Sequence, residues 1–124
     1  MEQTLNHFEH AAFSATACDM EGTIVYQNAL SLKRKGDVRG KSVFGCHKEK
    51  SNEIIRRMLK SGENYTYEII IHGQHRLIQQ MPWFEEEGGE MKGLLEIIID
   101  LPEGYPTFDR DKEKRDREKA AAEK

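Results

Sequence analysis

Between residues 64 and 100 the chain carries three strand-like runs joined by connections too short to cross a sheet. Residues 64–72 (NYTYEIIIH) are rich in aromatic and β-branched side chains. Residues 74–84 (QHRLIQQMPWF) alternate Leu77, Gln79, Met81 and Trp83 against Arg76, Ile78 and Gln80, and residues 91–100 (MKGLLEIIID) read as a mostly buried strand. His72-Gly73 is a turn, and residues 85–90 form an acidic loop. Parallel strands need a crossover of about a dozen residues or more, so these three runs must be antiparallel neighbours. Pro82 has no N–H for a ladder and belongs at an edge, a bulge or a strand end.

The N-terminal half supplies two more strands and the helices. Leu5, Phe8, Ala12 and Phe13 fall at helical spacing within residues 2–13, a short amphipathic helix. Residues 14–19 and 23–27 are β-compatible, and Asp19-Met20-Glu21-Gly22 between them reads as a hairpin turn. Asp19 can accept bonds from the N–H groups ahead of it, and Gly22 can take positive φ. From Asn28 to Gly45 the chain is broken by Gly36, Gly40 and Gly45, which predicts one or two single-turn helices. Residues 48–61 are the clearest helix. Ile54, Ile55, Met58 and Leu59 share one face, Arg56, Arg57 and Lys60 another, and Ser61-Gly62 supplies the stop. The order predicts an α+β fold with a five-stranded antiparallel sheet and helices packed on one face.

Charge separates the body from the tail. Of 19 Lys+Arg and 22 Asp+Glu in 124 residues, seven bases and six acids fall in residues 109–124, leaving residues 1–108 with a net charge of −4. An acidic body argues against a nucleic-acid partner, which would call for a basic stripe. No apolar run approaches the roughly 18–20 residues of a membrane span, and the first residues lack a secretory apolar core, so a cytoplasmic protein is expected. Cys18 and Cys46 make neither a disulfide framework nor a CxxC zinc site. Asp111–Arg115 and Glu113–Arg117 would support a helix in the tail, which has no apolar seam and reads as a solvated extension or an interaction arm.

Several segments together resemble the PAS domain family. Residues 18–28 (CDMEGTIVYQN) are similar to that family's D-x-x-G-x-I-x-Y-x-N stretch. Gly40-Lys41-Ser42 with the following helix and Gly62 is similar to its middle segment, and Met81-Pro82 through Gly89, Gly93 and Asp100 to its final hairpin. The likeness covers about residues 5–101. Residues 45–51 (GCHKEKS) further resemble the C-H-x-x-K-S segment of PAS domains fused to haemerythrin-like modules in bacterial proteins. The resemblance implies a flanking helix over 1–13, the PAS domain over 14–101 and a charged extension over 102–124. It implies a cytoplasmic sensor and interaction module that binds a small molecule, forms a homodimer and signals to an effector protein by ligand-biased rearrangement of the dimer. Expected pocket residues are Tyr26, Cys46, His47, Ile55, Met58, Tyr67, Gln79 and Met81, and the expected dimer surface is Leu5, Phe8 and Phe13.

Specific chemistries find uneven support. Flavin photosensors of the family carry G-x-N-C-R-F-L-Q, which is absent here. Haem would need a thiolate or imidazole aimed into an apolar pocket, and Cys46 and His47 are the candidates for a haem-based redox or gas sensor. The alternative for both is structural, His47 bonding backbone at the helix start and Cys46 filling apolar space. His7 and His10 form an H-x-x-H pair without a third ligand, and His72 and His75 flank a turn. No nucleophile elbow, P-loop, dinucleotide fingerprint or H-E-x-x-H appears, so no enzymatic activity is expected.

Overall fold

The structure is a computed structural model that describes residues 7–46 and 49–123. Strand β1 (Ser14–Asp19) and strand β2 (Ile24–Gln27) form the first hairpin. Asp19 Oδ1 accepts from the Glu21 and Thr23 N–H groups at 3.0 and 2.9 Å, and Gly22 takes φ 83°. Helix α1 (Ala29–Lys35) follows at once, capped by the Asn28 side chain, which accepts from Ser31 N, and closed by Gly36 at φ 75°. It runs seven residues, about two turns, so it is longer than the single turns expected. A 3₁₀ turn (Val43–Cys46) leads to helix α2 (Glu49–Ser61), which ends at Gly62 with φ 74°.

Strands β3 (Tyr65–Ile71), β4 (Gln74–Phe84) and β5 (Met91–Leu101) complete a sheet in the order β2-β1-β5-β4-β3, every pair antiparallel. The β3–β4 turn is two residues, His72 and Gly73, both at positive φ (51° and 80°), the geometry whose twist matches a right-handed hairpin. Pro82 sits beyond the end of β3, whose pairing stops at Tyr65↔Gln80, and just before a register shift at Trp83/Phe84. Its missing donor therefore breaks no ladder on that side.

Register fixes the faces of the sheet. Thr16, Glu96, Gln80 and Tyr65 align across β1, β5, β4 and β3, as do Ser14, Ile98, Ile78 and Tyr67. These rows face the helices, and side chains one residue out of step face the other way. Met58 and Ile55 of α2 pack on Cys18 and Leu94, with Val43, Phe44, Ile54, Leu59 and Tyr65 around them. Met58 is fully buried, worth about 2–3 kcal/mol of apolar burial. The buried stripe of α2 is Asn52, Ile55 and Met58, and Ile54 and Leu59 flank it half-buried. Asn52 belongs there because its amide donates to Phe44 O at 3.2 Å.

Past β5, helix α3 (Arg110–Ala122) buries none of its residues. Its ion pairs are Arg110–Glu113 and Lys114–Glu118, not the expected Asp111–Arg115 and Glu113–Arg117. No described helix is long and apolar enough to cross a membrane. Of the expected N-terminal helix, residues 7–9 are helical, and residues 1–6, with Leu5, lie outside the described residues.

Candidate functional site

The inner face of the sheet and the helices do not meet everywhere. Between them lies a cavity of about 280 Å³. Its apolar wall is Cys18, Ile24, Val38, Val43, Ile55 and Leu94, and its polar end is Thr16, Lys35, Gln80 and Glu96. A neighbouring space of about 150 Å³ is lined by Ser51, Ile54, Tyr65 and Tyr67, and Ile55 and Gln80 stand between the two.

Each polar group reaches the cavity for a local reason. Lys35 is the last residue of α1, at the point where Gly36 turns the chain away. The chain beyond is held by Gln27, whose amide donates to Ser31 Oγ and Gly36 O and whose carbonyl oxygen accepts from Val38 N at 2.8 Å. Glu96 interrupts the apolar run of β5 at an inward position, opposite Thr16 and Gln80. Lys35 Nζ pairs with Glu96 Oε1 at 2.6 Å and donates to Thr16 Oγ1 at 3.3 Å, and Gln80 Nε2 donates to Glu96 Oε2 at 2.9 Å. The residue beside Lys35, Arg34, pairs with Asp100 at 2.8 Å near the end of β5, where Arg76 pairs with the same carboxylate. Arg34's hydrogen bond, with help from Arg76, holds the Asp100 carboxyl below its usual range.

Of the expected pocket residues that the structure describes, Ile55 lines the larger cavity and Tyr67 the smaller. Met58 lies in the core cluster beneath them. Gln79 and Met81 are one step out of phase with Gln80, so they face away from the helices; Gln79 accepts a hydrogen bond from the Thr66 hydroxyl there. Tyr26 aligns with Ala17, also on that far face, and its hydroxyl donates to Glu9 at 3.4 Å. These three are corrections. Apolar residues occupy both phases of β4, so hydrophobicity alone did not say that Gln79 and Met81 turn outward, while on β2 the register shift between Ala17 and Cys18 puts Ile24 rather than Tyr26 on the cavity side. His47 and the side chain of Cys46 lie outside the described residues.

Sequence reasoning missed Lys35, Gln80 and Glu96. A usable signal existed in one case, since a lone glutamate amid Leu94, Leu95, Ile97 and Ile98 is costly to bury unless something pairs with it.

The two candidate haem ligands, His47 and the side chain of Cys46, lie outside the described residues, and none of the described histidines lines this cavity. Among the described residues no cluster of three or more His, Cys, Asp and Glu could hold a metal ion. Cys18 is buried and free. Burial pushes its thiol above the usual 9.0, against a weaker opposing bond to the Leu94 backbone. The folded state thus holds the proton more tightly than the unfolded chain does, so its stabilising effect is complete below pH 9.0 and declines as pH rises through the higher folded value. In a Cys46→Ser chain at pH 8, Ellman's reagent is expected to react slowly until denaturant is added; prompt reaction of the native protein would contradict this burial.

The sheet order and the helices over one face, with a pocket between them, are those of the PAS fold, and the chain has that fold. VqmA of Vibrio cholerae superposes with a TM-score of 0.65 at 15% identity, over 87% of this chain and 54% of that one. A PAS domain from Colwellia psychrerythraea gives 0.59 at 19% identity over 81% and 95%, and the PAS domain of the histidine kinase ThkA gives 0.57 at 13% over 69% and 97%. VqmA is also known as a complex with DPO, matched over 83% of this chain and 58% of that one. The chain therefore spans little more than half the length of the VqmA chains it matches. No family model matches the sequence, and no curated protein matches it significantly.

Proposed function

We propose that this chain is a non-enzymatic sensor module of a cytoplasmic bacterial signalling system, binding a small molecule between the inner sheet face and the helices α1 and α2. The carrying observation is the 280 Å³ cavity, apolar along its walls and polar at one end, the common form of a small-molecule site. Residues 14–101 are the sensing body, the segment before them the dimer element and the charged tail the connection to an effector protein. VqmA, a dimer captured with a ligand, and ThkA, a kinase, support this reading by likeness of fold.

The route outward runs through α1. Lys35 faces the cavity, and its neighbour Arg34 grips Asp100 at the far end of β5, from which the tail departs. A guest that shifts Lys35 shifts Arg34 with it and biases two arrangements of a homodimer. The coupling equals the guest's differential affinity for the two, typically about 1–3 kcal/mol. Phe8, 43% exposed, and Phe13, whose ring lies 6.0 Å from it, offer the dimer an apolar surface outside the sheet. Native mass spectrometry of freshly purified protein tests this reading. A dimer mass, with or without a retained small molecule, is expected; a strict monomer at high concentration would overturn the dimer mechanism.

A further inference from the structure

Gln80 stands at the seam of the two spaces with an acceptor unspent. It sits in the inner row between Glu96 of β5 and Tyr65 of β3, lines both spaces and is only 9% exposed. Its Nε2 donates to Glu96 Oε2 at 2.9 Å. A carboxylate oxygen accepts and has nothing to donate, so the nitrogen end of the Gln80 amide has to be the end turned toward Glu96. The carbonyl oxygen is the other end, and among the described residues the Gln80 side chain makes no second hydrogen bond. A guest that displaces water from this buried acceptor must supply an N–H or O–H in return. The second N–H of the same amide offers a bond to a carbonyl beside that donor.

The spaces on either side of Gln80 differ in chemistry. The larger is walled by aliphatic side chains, Ile24, Val38, Val43 and Leu94 among them. The smaller is bounded by Tyr65 and Tyr67, whose ring centroids lie 5.1 Å apart. Aromatic rings favour offset or tilted contact with another ring beyond what buried area alone gives. We infer that the site takes a molecule in which a hydrogen-bond donor, a secondary amide N–H in the simplest case, joins an aliphatic arm to a flat unsaturated ring. The donor meets Gln80 Oε1, the arm enters the larger space, and the ring lies against Tyr65 and Tyr67. All of this rests on the reading of the larger cavity as a ligand site. Gln80 is then the residue that sets specificity, because it alone touches both halves of the guest with a hydrogen-bonding group unspent on Glu96.

N-Butylbenzamide and butyl benzoate separate the possibilities. Both are neutral and carry a ring, a carbonyl and a butyl arm, and they differ in an N–H against an ester oxygen. Each is titrated into the full chain at neutral pH while the methyl signals of Ile55 and Leu94 and the ring signals of Tyr65 and Tyr67 are followed. The amide is expected to bind at least about tenfold more tightly than the ester. Nuclear Overhauser contacts should join its butyl arm to Leu94 and its ring to Tyr67; the opposite placement would overturn the inference. Gln80→Met removes the acceptor at similar side-chain length and is expected to bring the two affinities together. A merely structural role for Gln80 would weaken both probes alike, so a variant that keeps the native amide-to-ester ratio also overturns the inference. Equal binding of the two probes by the native chain overturns it and leaves the ligand-site reading intact, and that comparison needs no variant to fold. If neither probe moves any of these signals, the ligand-site reading fails and the inference with it.

Discussion

Replacing Asn28 by alanine is expected to destabilise the protein by about 4 kcal/mol, measured as a lowered midpoint in urea at unchanged slope. The side chain is fully buried and makes four hydrogen bonds. Its oxygen accepts from Ala15 N at 3.0 Å and Ser31 N at 3.1 Å, and its amide donates to Phe8 O at 2.9 Å and Phe13 O at 2.8 Å. One residue thus caps α1, anchors β1 and latches the N-terminal segment. Each bond contributes about 1 kcal/mol net, and stranding buried partners costs at least that. N28D refines the test, because it keeps the acceptor for Ala15 and Ser31 and loses both donors. At neutral pH its carboxylate would face the carbonyls of Phe8 and Phe13, so most of the loss should remain. Acidification restores one O–H donor, and the deficit relative to the native chain should narrow as pH falls. A loss below about 1 kcal/mol in the alanine variant would mean the latch does not hold the N-terminal segment.

This residue also marks where the sequence was readable and where it was not. Asn28 stood in the stretch that resembles the PAS family, and the hairpin before it was legible from Asp19 and Gly22, since a turn written in side-chain acceptors and positive φ is a local matter. Strands β3 to β5 were legible for the same reason: period-two patterning and short connections leave one topology. Helix α1 was under-read because it is held by polar contacts. Ser31 and Gln27 are buried and bonded to each other, and a polar helix followed by glycines shows no apolar stripe. The polar end of the cavity was hidden by the same physics in sharper form. Lys35, Gln80 and Glu96 look like surface residues one at a time; Lys35 stays exposed, and Gln80 and Glu96 turn inward only as part of a bonded set with it, drawn from three separate elements. The outward phase of β4 misled for the opposite reason. Met81 aligns with Leu95 and Ala17 on a far face that is itself apolar, so both phases look like core.

Gly93→Ala is expected to cost about 3 kcal/mol or more and to disturb the junction of β1 with β5. Gly93 pairs with Asp19 on one side and Trp83 on the other, and a Cβ at this position would lie 1.8 Å from Cys18 O and 2.9 Å from the Asp19 Cα. Those are backbone atoms, which no rotamer change can move aside. The φ of 155° adds strain for any L side chain. The Cys18 carbonyl is held in place from the other direction, because Trp83 Nε1 donates to it at 2.9 Å, so relaxation in β1 would break that bond as well. Gly104→Ala is the control that separates strain from clash: its φ is 68°, yet a Cβ there would meet nothing within 4 Å, so its cost should be about 1 kcal/mol. Because Cys18 and Leu94 both line the cavity, the Gly93 substitution should also broaden or shift the Leu94 methyl signals, whereas the control leaves them in place. Equal stability of the two variants would mean that β1 and β5 do not approach this closely, and the cavity floor they form would have to be redrawn.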